Sequence, residues 1–201
     1  MGLATPAAAP DTVNPKQWLI GASIGAIRYW GGTSVARGEN GELAFSPYRP
    51  TPIGIRVEVQ TSRFRFGISL EYAEPGLGAS ARDSAGVPSG TIVLENFLTS
   101  YTLTPQAGVR IARLAGGAPI LAGLGLLLER WDVPGEPSRH RVGVAGTLGL
   151  ELHLFGDFVG AATATVGWTP SSPFRREELP PPYRPASLWR RGITATLSYR
   201  L

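Results

Sequence analysis

Only two histidines and no cysteines occur among 201 residues, which narrows the available chemistry at once. Without cysteine there is no thiolate nucleophile, no thiolate metal site and no disulfide framework. His153 stands two residues after Glu151, so an extended strand would carry both on one face as a carboxylate–imidazole pair suited to proton transfer. Two ligands on one face are too few for a metal site, so no metal is expected, and the plainer reading is a hydrogen-bonded interior histidine. Ser138 and His140 offer the hydroxyl and imidazole of a nucleophilic set at a loop edge. Gly76-Leu77-Gly78 and Gly123-Leu124-Gly125 lack the full spacing and context of a dinucleotide or phosphate loop. No cofactor is expected.

The charged residues are more informative. The net charge is +4, and Lys16 is the only lysine among 19 basic residues. The arginines are dispersed, many alternating with apolar residues or sitting beside glutamate, with no basic run, so nucleic acid is not expected as a partner. Arg56, Glu58, Arg65, Glu71, Arg110, Glu129, Glu151, His153, Arg190 and Arg200 all fall on the polar side of alternating segments. Enclosed in a narrow space, such charges must pair. Two outcomes are open: a salt-bridged plug that stiffens the molecule, or a narrow pore lined by the same groups.

The elements that would position them follow from period-two alternation. In 53–60 every odd residue is apolar, and after a short turn at 61–63 the rhythm resumes with Phe64, Phe66, Ile68, Leu70 and Tyr72 on one face. Two such runs joined by a tight turn predict a β-hairpin. The same alternation marks 17–31, 119–131, 142–154, the weaker 158–168 and the C-terminal segment. Segment 91–114 reads either as one long strand, which makes eight in all, or as two strands broken at Pro105. Gly 26 and Pro 18 suit many short strands with turns, and no stretch approaches the roughly 18 apolar residues of a membrane helix.

Connections alternate in length. Tight turns fall near 61–63, 115–118 and 156–157, and long loops at 32–51, 74–90, 132–139 and 169–187. That pattern predicts an all-β, closed, antiparallel up-and-down transmembrane barrel over 17–201. Residues 1–16 read as a flexible Ala/Pro leader without the charged and apolar regions of a signal peptide, so an exported chain would be numbered from near its mature end. Pro170 to Tyr183, rich in proline and charge, reads as a stiff external recognition surface or as a loop ordered by its prolines.

Which face meets solvent decides between a membrane barrel and a soluble one with reversed polarity. The polar face is rich in Gly, Ser, Thr and Ala, as a narrow interior needs, and the apolar face carries more bulk than such an interior could hold. Aromatics gather at segment ends: Trp18, Phe64, Phe155, Phe158 and Tyr199 at the turn end, and Trp30, Tyr72, Trp131, Trp168 and Trp189 at the loop end. Rings so placed form the two girdles of a membrane barrel; strand propensity and end packing in a soluble core are the plainer alternative.

On strand rhythm, loop alternation and the final segment 192–201, the chain resembles the small eight-stranded outer-membrane β-barrel proteins, among them the OmpA transmembrane domain, OmpX and OmpW. Members usually end in an aromatic residue read by the insertion machinery; here Leu201 takes that place, with Tyr199 on the same face. The resemblance implies a bacterial outer-membrane location, outer-membrane lipid as surroundings and other envelope proteins as partners through the long loops. Some such barrels are lipid A deacylases, but the order and spacing of Ser138 and His140 do not match their His-x-Ser arrangement. The expected function is structural or interaction-based. A narrow pore, a lipid-modifying enzyme and a soluble lipocalin-like binder are the alternatives.

Overall fold

A chain that alternates bulky apolar with small or polar residues can separate the two only by lying extended, where successive side chains point to opposite faces. The computed structural model describes residues 16–34, 42–82, 88–95, 97–114, 117–179, 181 and 183–201. These form β1 (Gln17–Ser34), β2 (Glu42–Tyr48), β3 (Ile53–Gln60), β4 (Phe64–Ala73), β5 (Gly76–Arg82), β6 (Pro88–Leu94), β7 (Thr99–Arg113), β8 (Pro119–Asp132), β9 (Arg139–Phe155), β10 (Phe158–Thr169) and β11 (Arg184–Arg200). The leader expected at 1–16 lies outside the described residues apart from Lys16.

Eight strands close an antiparallel barrel in the order β1-β11-β10-β9-β8-β7-β4-β3, with β3 returning to β1. Closure joins the first and last strands: Ile20 pairs with Tyr199, and the Leu201 N–H donates to the Trp18 carbonyl at 2.9 Å. Closure leaves the paired stretch of the barrel without a free edge, so backbone groups there find partners inside the sheet. The β1–β3 ladder ends at Ile24 opposite Ile53; beyond it the carbonyls of Pro52 and Pro50 accept from the Gly25 and Ile27 amides at 2.9 and 3.2 Å. Higher still, Gly31 and Gly32 take φ of +84° and +90° where the β1–β11 register shifts. A Cβ on Gly31 would lie 2.3 Å from the Ser187 carbonyl oxygen. The bulge therefore needs glycine for both conformation and room.

The structure corrects two expectations. Segment 91–114 is neither one strand nor two split at Pro105: its first residues belong to β6, and β7 begins at Thr99. Pro105 sits inside β7 opposite Ile68 of β4. On the β8 side the pairing resumes in unchanged register, Leu103 with Leu128 and Gln106 with Gly125. A proline without an N–H costs the ladder a bond there but does not bend the strand out of it. Second, the predicted loops at 32–51 and 74–90 contain β2, β5 and the start of β6, which pair into a separate antiparallel sheet of order β2-β5-β6. It is tied to the barrel through Thr33, whose hydroxyl accepts from the Phe45 amide at 2.8 Å and donates to the Phe45 carbonyl at 3.1 Å.

The apolar face points outward around the barrel. Leu124 is 74% exposed and Ile193 67%, and Ile24, Ile55, Phe66, Ile68, Val142, Leu148 and Val166 are all exposed. The conventional core is small and sits at the loop end, where Tyr29, Leu98, Trp131, Phe174 and Leu188 pack together.

Candidate functional site

The inward face carries two charge clusters. In the turn half, Arg65 of β4 is clamped between Glu58 of β3 (3.4 Å) and Glu151 of β9, with Gln60 accepting from its Nη2 at 2.6 Å. Gln106 of β7 donates to the second oxygen of Glu58 at 3.1 Å, and Arg56 stands 3.7 Å from that oxygen. Four strands are thereby cross-linked through the interior. Burial makes this pairing obligatory, since an ion in so enclosed a space costs several kcal/mol unless compensated (about, per ion). Beside the cluster lies a cavity of about 40 Å³, room for a few waters and nothing larger.

In the loop half, Arg190 of β11 lies 3.8 Å from Glu129 of β8 and 3.9 Å from Glu71 of β4. The other oxygen of Glu129 accepts from Thr169 of β10 and from the Trp131 indole N–H, both at 3.3 Å. This cluster is looser than the lower one, and Nε and Nη1 of Arg190 make no hydrogen bond among the described residues. Above it, side chains of the loop end pack into the mouth. Arg139, buried at the start of β9, donates to the Pro173 carbonyl and pairs with Glu178, drawing the 173–178 segment inward. The Phe174 amide donates to Ser172 at 3.0 Å, and its ring enters the cluster of Tyr29, Leu98, Trp131 and Leu188.

Of the residues expected in the lumen network, Arg56, Glu58, Arg65, Glu71, Glu129, Glu151 and Arg190 come together in these clusters. Three do not. Arg110 reaches the rim and donates to the Ser62 carbonyl at 2.9 Å; Arg200 is half-buried at the same rim, its Nε without a hydrogen bond among the described residues. His153 is exposed beside the register shift between Phe158 and Val159, and its expected partner Glu151 bonds Arg65 instead. Sequence reasoning missed Tyr29, Gln60, Gln106, Arg139, Thr169 and Glu178. Among the described residues no group of three or more His, Cys, Asp and Glu is placed to hold a metal. The Ser138 hydroxyl accepts from Arg130 at 3.0 Å, and among the described residues no hydrogen bond joins it to His140.

The aromatic rings fall in two bands, with one correction. Trp30, Trp168 and Trp189 pair in register across β1, β11 and β10, with ring centroids 6.0 and 6.2 Å apart, and Tyr72 meets Tyr101 at 5.3 Å. At the other end Phe155, Phe158 and Tyr199 make a chain of contacts at 5.1 and 5.2 Å, with Trp18 and Phe64 also exposed. Trp131 is no girdle residue: it is 0% exposed, edge-on to Tyr29 in the mouth. Its odd position in β8 puts it opposite in phase to the outward Leu124, Leu126 and Leu128. Trp189 and Tyr199 lie ten residues apart on β11, about 33 Å along the strand. At a tilt of about 40° that is about 25 Å along the barrel axis, the height of the apolar band in membrane barrels.

The eight-stranded closed fold is shared by solved structures. The crystal structure of neisserial surface protein A superposes with a TM-score of 0.57 at 10% identity, over 92% of this chain and 97% of that one. The solid-state NMR structure of outer membrane protein AlkL in DMPC lipid bilayers gives 0.55 at 11% identity, over 100% and 97%. This chain has the fold of the small outer-membrane β-barrels. No protein-family model and no curated protein matches the sequence. In an outer-membrane barrel fold the three tight turns occupy one end, and here both chain ends of the barrel lie with them.

Proposed function

We propose that this chain is an outer-membrane β-barrel with a closed lumen, whose role is structural or interaction-based and is exercised from its loop end. The observation that carries the membrane reading is the continuous outward belt of large apolar side chains between two aromatic bands. A soluble protein rarely exposes so large a contiguous apolar surface. The closed lumen is supported by the two cross-barrel ion clusters and by Phe174 and Trp131 in the mouth. What remains to meet other molecules is the external β2-β5-β6 sheet and the proline-rich 170–183 loop. The membrane around the belt supplies the lipid, and other envelope proteins are the partners suited to the loop end.

The pore reading is separated by conductance. Purified protein reconstituted in planar bilayers gives no steps above background, and neither does Arg56→Ala, because removing one guanidinium of the lower cluster leaves the upper cluster and the mouth in place. Regular steps in the wild type, altered in Arg56→Ala, would install the pore instead. Unchanged lipid profiles on overexpression are expected as well; a modified lipid would bring back the enzyme.

A further inference from the structure

One pair of charges faces the wrong way for a lumen network. Arg28 of β1 and Arg191 of β11 are both exposed on the outward face, and they are direct cross-strand partners. Their next outward neighbours toward the loop end are Trp30 and Trp189, which stack; toward the barrel's middle they are Ala26 and Ile193. The two guanidiniums are thus rooted one same-face step, about 7 Å along the strand, inside the tryptophan band. The Arg191 guanidinium lies 5.7 Å from the Trp30 ring centroid. Among the described residues neither arginine makes an ion pair. Across β11 the partner of Arg191 is Val166, which is apolar. A third exposed guanidinium, Arg49, follows on the segment that borders β1 at this height, where the Ile27 amide donates to the Pro50 carbonyl.

Like charges directly opposite on a sheet face repel, and hydrocarbon strengthens the repulsion. Arg65, Arg139 and Arg190 in the lumen face carboxylates and Arg110 bonds a carbonyl, whereas this pair has no such partner within the sheet. The arrangement is favourable only with an anion between the two forks. Guanidinium binds phosphate oxygens two at a time, and the position beside the tryptophans is where lipid headgroups meet acyl chains. We propose that Arg28 and Arg191 form a binding site for the phosphate of an anionic lipid in the leaflet at the loop end. The lipid's chains lie along the outward face beside Ala26, Ile193 and Val166, and its phosphate bridges the two guanidiniums. Snorkelling of long arginine side chains toward the headgroups brings the charges to that level.

The inference rests on the membrane reading, and its test is arranged so that the two can fail separately. The folded protein in a zwitterionic detergent is titrated with short-chain phosphatidic acid, with short-chain phosphatidylcholine and with inorganic phosphate, while the fluorescence of the stacked tryptophans is recorded. Wild type, Arg28→Gln/Arg191→Gln and the control Arg130→Gln are compared, each first shown to migrate heat-modifiably on a gel. Phosphatidic acid is expected to bind wild type and Arg130→Gln alike, at least about tenfold tighter than phosphatidylcholine. The double variant loses that preference. Equal binding of the two lipids, or an undiminished preference in the folded double variant, overturns the site. So does inorganic phosphate binding as tightly as the lipid, which would make it a free-anion site. A wild type that folds without detergent fails the membrane reading itself.

Discussion

Trp131 shows how much one residue's phase can decide. Its indole fills the mouth and donates to Glu129, so Trp131→Ala removes both packing and a partner for a buried carboxylate. A loss of about 3–5 kcal/mol in unfolding free energy is expected from urea titration in detergent, whereas Trp168→Ala, on the outward band, costs far less. Equal losses would put Trp131 back among the girdle residues. Arg65→Ala strands Glu58 and Glu151 together in the lower cluster, for a loss of about 3–5 kcal/mol; Glu151→Gln, which keeps an acceptor for Arg65, is milder in the same titration. The lower cluster was largely legible in the sequence because alternation places Arg56, Glu58, Arg65 and Glu151 on one face. Which acid meets which base was not, since Glu151 and Arg65 are brought together only by closure across the barrel. His153 shows the limit of phase alone: it has the inward parity, but the strand has already reached the rim.

At the scale of elements, the barrel hairpins were readable and the small external sheet was not. The hairpin of β3 and β4 repeats its alternation over enough residues to fix both strands and their faces. β2, β5 and β6 are seven residues each, rich in Gly, Ser and Pro, and their pairing is decided by tertiary placement over the mouth. Pro105 misled in the opposite direction, because a strand buried in a closed ladder can forgo one bond when its neighbours hold the register. Strand contact itself is testable through two glycines of β9. A Cβ at Gly143 would lie 2.5 Å from both the Trp168 carbonyl and the Thr169 hydroxyl, while one at Gly146 meets nothing within 4 Å. Gly143→Ala therefore forces β9 and β10 apart and lowers the temperature at which the folded band disappears on a gel. Gly146→Ala leaves it unchanged, and an equal effect of the two would contradict the close approach of the strands.

The whole molecule is organised inside out relative to a soluble barrel: ions and small residues within, bulk and aromatics without. Stability inside the lumen then comes from charge pairs that cross the barrel, and the only sizeable apolar cluster among the described residues lies at the loop end. That arrangement makes sense of a chain whose composition alone looks unremarkable for a water-soluble protein, because each strand averages its two faces. The absence of cysteine allows single labels without background. The most direct test places a spin label at Leu124→Cys and, separately, at Thr163→Cys, one outward and one inward, in protein reconstituted into liposomes. Collisions with a lipid-soluble relaxation agent are expected to be frequent for the label at 124 and rare for the one at 163. Labels that both respond instead to a water-soluble agent, or a reversed pattern, would contradict the outward-facing apolar belt on which the account stands.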